Sequence, residues 1–313
     1  MAIDTLSQRV AYGETLVALG AENPDVVVLE ADLGKSTMGI KFEQAYPERF
    51  YEMGIAEANM AGVAAGLSLT GKIPFMASFA VFSSGRCFDQ IRTAICIPRL
   101  NVKICGSSSG LSDFGDGSTH QCVEDVATMR SLPNMQVFVP CDAIQTEQVV
   151  RYMAANEGPM YLRLNRNNLP NYTSQDEPFV PGKVYTLRQG TDVAVFAYGV
   201  MVSRAMEAAQ RCAEQGISVR VVNVPSIKPL DAAAILEIAA GVKGIVTAEE
   251  GSVIGGMGSA IAEVLAPVGG CPIEMVGIRD SFGTSAGNYE ELLNHYHLTS
   301  EAIAEAIVKT VRK

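Results

Sequence analysis

Residues 25–32 read DVVVLEAD, a continuous β-branched run without polar alternation, and such a run is buried on both faces as a strand of a parallel sheet. It ends in acidic residues and Gly34, as parallel strands do where they open into site loops. Further strands are predicted at 73–76, 102–105, 135–139 and 161–164, separated by alanine-rich or amphipathic stretches of helical length. That alternation predicts an α/β fold. Upstream, residues 5–24 have helical spacing, with Leu6, Val10, Leu16 and Leu19 on or near one face and Pro24 closing the helix. The text NYTSQDEPFVPGK (171–183) is polar, lacks periodicity and holds two prolines and a glycine, which marks a boundary. Beyond it, strands at 192–197, 218–224, 244–249 and 273–278 alternate with helices at 201–215, 231–240 and 256–265. The expected organisation is therefore two parallel-sheet α/β domains, 1–172 and 184–313, joined by a linker at 173–183.

The 313 residues exceed one ordinary domain, and a 48% hydrophobic content suffices for two packed cores. A formal net charge of -10 without any block of lysines or arginines excludes nucleic acid and anionic membrane as partners. Any anionic small substrate must then find local basic residues. Seven scattered cysteines, with no CxxC pair and no histidine spacing suited to zinc, read as small buried hydrophobes in a reducing cytosol. No stretch approaches the ~18 apolar residues that span a bilayer, and the start MAIDTLSQRV is polar, so a soluble cytoplasmic protein is expected.

Glu57 stands in GIAEANMAG (54–62), a run of small and apolar residues that holds no cation of its own. A carboxyl there is costly to ionise unless a partner offers it a proton or a donor, although a first-turn glutamate also gains from the helix dipole. The loop GLSDFGDGSTHQ (110–121) concentrates two aspartates, a histidine and three glycines, the composition of a site loop, and His120 closes it. His295 and His297, one residue apart in NHYHLTS, fall on different faces of any helix and read as surface residues. In PFMASFAVFSSGRCF, Phe75, Phe79, Phe82 and Phe88 surround a strand-to-helix change, where core packing is the default role. Phe79 and Phe82, at the carboxyl end of the strand, are also placed to stack on a planar heterocycle. The cluster GSVIGGMGSAIAEVL (251–265) supplies two glycines of a dinucleotide fingerprint, but Ile261 occupies the third position, which favours a tight turn into a packed helix. Ala58, Gly62, Ala65 and Leu69 form a helical stripe of little bulk, suited to close helix approach or reflecting simple alanine propensity.

Together these residues resemble the C-terminal portion of a transketolase, of the kind encoded as two separate subunits. The resemblance covers nearly the whole chain. It is carried by GIAEANMAG, by DGSTHQ with Glu124-Asp125, by LPNMQVFVPCD (132–142) and LNRNNLP (164–170), and by TAEEGSVIGGMGSAIAEVL (247–265) and RDSFGTSAGNYEELL (279–293). It implies two three-layer α/β domains, the first a pyrimidine-binding domain of a thiamine diphosphate enzyme and the second the family's C-terminal domain. It further implies that Glu57 hydrogen-bonds the ring nitrogen of the cofactor's aminopyrimidine, favouring the imino tautomer whose exocyclic nitrogen deprotonates the thiazolium carbon. Phe79 and Phe82 would enclose the pyrimidine. Asp116 and His120 would hydrogen-bond the sugar hydroxyls and carbonyl oxygen, with His120 moving a proton. Arg166 would grip the substrate phosphate, with Arg9 and Ser36 in the same pocket.

Two departures from the family pattern bear on the substrate. Ser108 stands where family members usually carry a histidine, and it offers one hydrogen bond and no charge. The loop reads FGDG where many relatives have an acidic residue before the aspartate. A larger absence bears on architecture, because the diphosphate-binding domain and its magnesium-holding motif are missing, and Gly115-Asp116-Gly117 matches that motif in letters only. The implied protein is therefore incomplete alone. A separate N-terminal subunit would supply the diphosphate site and Mg2+, in a two-plus-two heterotetramer. The implied activity is transfer of a two-carbon ketol unit between sugar phosphates in pentose phosphate metabolism. Alternatives are the beta subunit of a 2-oxo acid dehydrogenase, over which DGSTHQ and LNRNNLP favour the transferase, a deoxyxylulose phosphate synthase-like enzyme, and a non-catalytic assembly subunit, against which the intact Glu57, Asp116, His120 and Arg166 count.

Overall fold

In the computed structural model, which describes residues 5–269 and 271–312, the run at 25–32 forms the strand Val26–Glu30 with every residue buried. Its side chains alternate between two cores, as the pleat requires. Val26 and Val28 pack with Tyr12, Leu16, Phe75 and Val149, whereas Val27 and Leu29 pack with Met60, Ala61, Met76 and Ile104. The strand lies in a seven-stranded sheet ordered Ser226–Lys228, Gln136–Phe138, Met160–Arg163, Lys103–Ser107, Ile73–Phe79, Val26–Glu30 and Phe50–Glu52. All neighbours are parallel except the first pair. A five-stranded sheet follows, ordered Ile273–Ile278, Gly244–Ser252, Val193–Ala197, Val219–Asn223 and Tyr185–Arg188, with only the last pair antiparallel. Helices flank both sheets, so the chain is α/β throughout. The core containing Val27 and Met76 continues through Phe196, Val222, Ile245 and Ile261, which welds the two sheets into one packed body.

Leu6 does not join the first helix. It sits exposed in the strand Thr5–Ser7, paired with Leu169 of Asn168–Pro170, and the helix begins at Gln8. The short strands at Phe50–Glu52, Asn168–Pro170, Tyr185–Arg188 and Ser226–Lys228 carry too few residues for a period to register in the sequence. The polar segment after Asn171 is pinned at its start: Asp142 accepts the backbone N–H of Tyr172 at 2.8 Å and of Thr173 at 2.7 Å while capping the helix Ala143–Ala155 through Gln145 N–H.

The glycine turn before helix Met257–Leu265 has no free anion seat. The N–H groups of Met257 and Gly258 both donate to the Glu249 carboxylate at 2.8 Å, and a Cβ on Gly256 would meet Glu249 Oε2 at 2.3 Å. The chain's own acid takes the place a cofactor phosphate would need, and the turn is a packing device. Burial pushes the Glu249 carboxyl up to about 7, despite the two N–H bonds that favour its charge. Between the ordinary carboxylate range and that value the folded chain holds a proton that the unfolded chain has released, so this contribution to stability is lost as pH rises. Relative to Glu249→Gln, the wild type is expected to lose about 3 kcal/mol of unfolding free energy between pH 5 and 7.5. Denaturant titrations of both proteins across that range measure the difference, and a flat one rules out this protonation.

Candidate active site

The strand Ile73–Phe79 ends at the carboxyl edge of the seven-stranded sheet and delivers Phe79; Phe82 follows at the start of a wide π turn, Phe82–Arg86. Such turns recur at functional sites because they re-aim side chains. The two rings lie nearly parallel, 6.2 Å apart with 14° between planes. Helix Glu57–Leu69 starts beside them after a turn at Gly54, whose φ of +65° suits glycine. Glu57 is only 3% exposed. It is not without a cation, contrary to the expectation from its local run: Arg86 Nη1 donates to Glu57 Oε1 at 2.9 Å, and the same guanidinium lies 4.0 Å from the centroid of Phe82. His120 approaches the edge-on side of this assembly, 5.3 Å from the Phe82 centroid at 76°, with its Nδ1 3.0 Å from the hydroxyl of Thr119. A cleft of about 290 Å³ opens among Glu57, Phe82, Arg86 and His120, walled by Asp32 and Ile55.

The loop carrying His120 is strapped down on both flanks. Gly110 and Cys122 exchange backbone hydrogen bonds at 2.8 and 3.0 Å, and Gln121 Nε2 donates to the carbonyls of Asp113 and Thr284 at 3.1 and 2.9 Å. Gly117, at φ +75°, passes so close to Ser285 that any side chain would collide with its hydroxyl. Beneath the loop lies a buried polar network that sequence reading missed. Arg163 Nε sits 3.0 Å from both carboxylate oxygens of Asp125, and Arg163 Nη2 donates to the Glu250 carbonyl at 2.7 Å. The Glu250 carboxylate accepts Leu111 N–H at 2.8 Å, Tyr289 O–H at 2.7 Å and Asn165 Nδ2–H at 3.2 Å. The network ties the loop and the Asn165-Arg166 corner to the five-stranded half.

Beyond His120 the remaining expected residues gather at the other end of the site. Arg166 pairs with the buried Asp113 at 2.9 Å, while Arg9 Nη1 donates to the carbonyl of Ser36 at 3.0 Å. Burial and the neighbouring Arg166 lower the Arg9 guanidinium, offset in part by Asp113. Burial raises the Asp113 carboxyl; Arg166 and His120 oppose that, while Asp116 adds to it. Asp116 itself is exposed, and the buried Ser108, at φ +49°, has an Oγ without a hydrogen-bond partner among the described residues. Asp113 and Arg86 were the overlooked members: the first lay in the loop already singled out, the second in the aromatic run. Among the described residues no group of three or more His, Cys, Asp or Glu side chains is gathered to hold a metal ion, and no helix is long and apolar enough to cross a membrane.

Comparison with known proteins identifies the family. Residues 4–171 match the family described as transketolase, pyrimidine binding domain, and residues 182–303 match transketolase, C-terminal domain. The putative transketolase C-terminal section of Methanocaldococcus jannaschii is 42% identical over 308 residues, 97% of this chain and 96% of the relative. The 6-deoxy-6-sulfo-D-fructose transketolase subunit SqwH of Clostridium sp. is 41% identical over 95% of this chain and 92% of its own. A solved structure described as "Split gene transketolase, inactive beta4 tetramer" is 48% identical, covers 99% of both chains and superposes with a TM-score of 0.89. The chain belongs to the transketolase family, of which it carries the pyrimidine-binding and C-terminal domains.

Proposed function

We propose that this chain is the cofactor-activating, C-terminal subunit of a split transketolase, which moves a two-carbon ketol unit between sugars that end in an anionic group. The observation that carries the reading is the buried Glu57 carboxylate on the wall of a cleft bounded by the Phe82 ring and His120. Those residues fit an aminopyrimidine, since a flat heterocycle stacks on an aromatic face and its ring nitrogen calls for a buried acid. Thiamine diphosphate supplies, when bound, the electron sink and nucleophilic carbon that ketol transfer needs. Glu57 shares a proton at the ring nitrogen; Arg86 engages Oε1 and leaves Oε2 for that proton. His120 has Nδ1 against the Thr119 hydroxyl, so Nε2 is the nitrogen that moves a proton at the substrate oxygen. Asp116 accepts from substrate hydroxyls, and Phe79 backs Phe82.

Arg166 and Arg9, with Ser36, take the distal anion. Arg166→Ala is expected to raise KM about tenfold or more for anionic sugars and little for uncharged ones. Steady-state kinetics on matched substrates measure this, and equal effects remove the assignment.

The side chains described do not fit Mg2+, and we assign the ion and the diphosphate to a separate N-terminal subunit, in a cytoplasmic two-plus-two heterotetramer, with the division of this chain at 173–183. The inactive tetramer of beta chains described for the solved relative supports the need for such a partner. Mixing the chain with its partner subunit, thiamine diphosphate and magnesium tests the reading. Glycolaldehyde transfer from a ketose upholds it. Oxidative decarboxylation of a 2-oxo acid or assembly without turnover contradicts it.

A further inference from the structure

The end of the site given to the distal anion contains a carboxylate that the proposed function does not use. Asp113 is 3% exposed, and its Oδ2 lies 2.9 Å from Nη1 of Arg166. Its backbone carbonyl accepts Gln121 Nε2–H at 3.1 Å, and the loop on either side is held by Ala286 N–H to the Phe114 carbonyl at 2.9 Å and Leu111 N–H to Glu250 at 2.8 Å. The acid therefore stays against Arg166. Arg9 lies within electrostatic reach of both Arg166 and Asp113, and Asp116 and His120 lie within reach of Asp113. Two guanidiniums thus stand with two carboxylates and one imidazole.

A phosphate monoester carries about −1.5 to −2 charges at pH 7. In a corner that already holds Asp113, the second of those charges is repelled at close range. A group with one permanent charge meets no such repulsion. It still finds donors in the partly exposed guanidiniums of Arg166 and Arg9. We propose that Asp113 is a specificity-determining residue, and that the sugar taken by this site ends in a singly charged group, of which a sulfonate is the stable example, rather than in a dianionic phosphate. This inference rests on the proposed function and narrows its substrate class.

The test uses the complex of this chain with its partner subunit, wild type and Asp113→Asn, and compares kcat/KM for 6-deoxy-6-sulfofructose and fructose 6-phosphate as ketol donors. The wild type at pH 8 is expected to favour the sulfonate about tenfold, and Asp113→Asn to move the ratio about tenfold toward the phosphate. In the wild type alone, the preference shrinks below about pH 6, where the phosphate takes up a proton and becomes singly charged. That measurement stands even where the variant fails to fold. A wild-type preference for the phosphate at pH 8, a pH-independent ratio, or a ratio unmoved by Asp113→Asn overturns the proposal. Should neither donor be turned over, the ketol-transfer reading fails, and equilibrium binding of the same two sugars decides this inference separately. A binding ratio that shifts with Asp113→Asn upholds the selectivity, and an unmoved ratio or no binding overturns it.

Discussion

Glu57→Gln is expected to leave folding and subunit assembly intact while lowering turnover by about 10²- to 10⁴-fold, the usual worth of a positioned proton-transfer group. The substitution keeps the shape and one acceptor oxygen, so Arg86 retains a partner and, being half-exposed, finds water for the rest. What it removes is the shared proton. An amide cannot alternate between holding and releasing a proton at a ring nitrogen, whatever its packing against Phe82. Turnover of the reconstituted complex, with its assembly read by size-exclusion chromatography, separates the two effects. Activity within about tenfold of wild type excludes proton sharing as the role of Glu57.

Arg163→Met is expected to cost about 3–5 kcal/mol, because it strands the fully buried carboxylate of Asp125 without its cation. Tyr161 O–H still donates to Asp125 at 2.8 Å, but one neutral hydrogen bond does not replace a guanidinium held 3.0 Å from both oxygens. The Glu250 carbonyl loses its 2.7 Å donor at the same time, and the anchor of the His120 loop weakens with it. Denaturant unfolding measures the loss. A second substitution, Asp125→Asn, is expected to recover more than half of it, since the cost is an uncompensated charge rather than a lost contact. A loss in the single variant below about 1 kcal/mol contradicts the structural importance of the network.

How much of this was legible in the sequence follows the physics of each feature. Continuous apolar runs such as 26–29 and 73–76 announce themselves because a strand buried on both faces leaves no polar alternation, although the second strand runs on through Ser78 to Phe79. The strand Ile273–Ile278 was expected with the bounds found. Three-residue strands and the entry of Leu6 into one were hidden, because pairing partners distant in the chain decide them. At the site, Glu57, Phe79, Phe82 and His120 were each picked out, and the fold brings them to one place. The cation on Glu57 comes from 29 residues away, across the turn between a strand and the next helical segment, and nothing in the local run of Glu57 foretells it. The pairing of Asp113 with Arg166, and of Arg163 with Asp125 and Glu250, likewise depends on sheet order, which places the end of Met160–Arg163 beside Lys103–Ser107. At the glycine cluster 251–258 the letters favour a tight turn into a packed helix over a phosphate site, as found, but only the position of Glu249 shows what its N–H groups hold.

The central claim is that Glu57 is the acid of a thiamine diphosphate pyrimidine site. A crystal structure of the copurified complex with thiamine diphosphate and magnesium addresses it most directly. The account predicts the aminopyrimidine against Phe82, with a ring nitrogen about 2.6–3.2 Å from the Glu57 carboxylate. A heterocycle bound elsewhere, with Glu57 out of its reach, contradicts it.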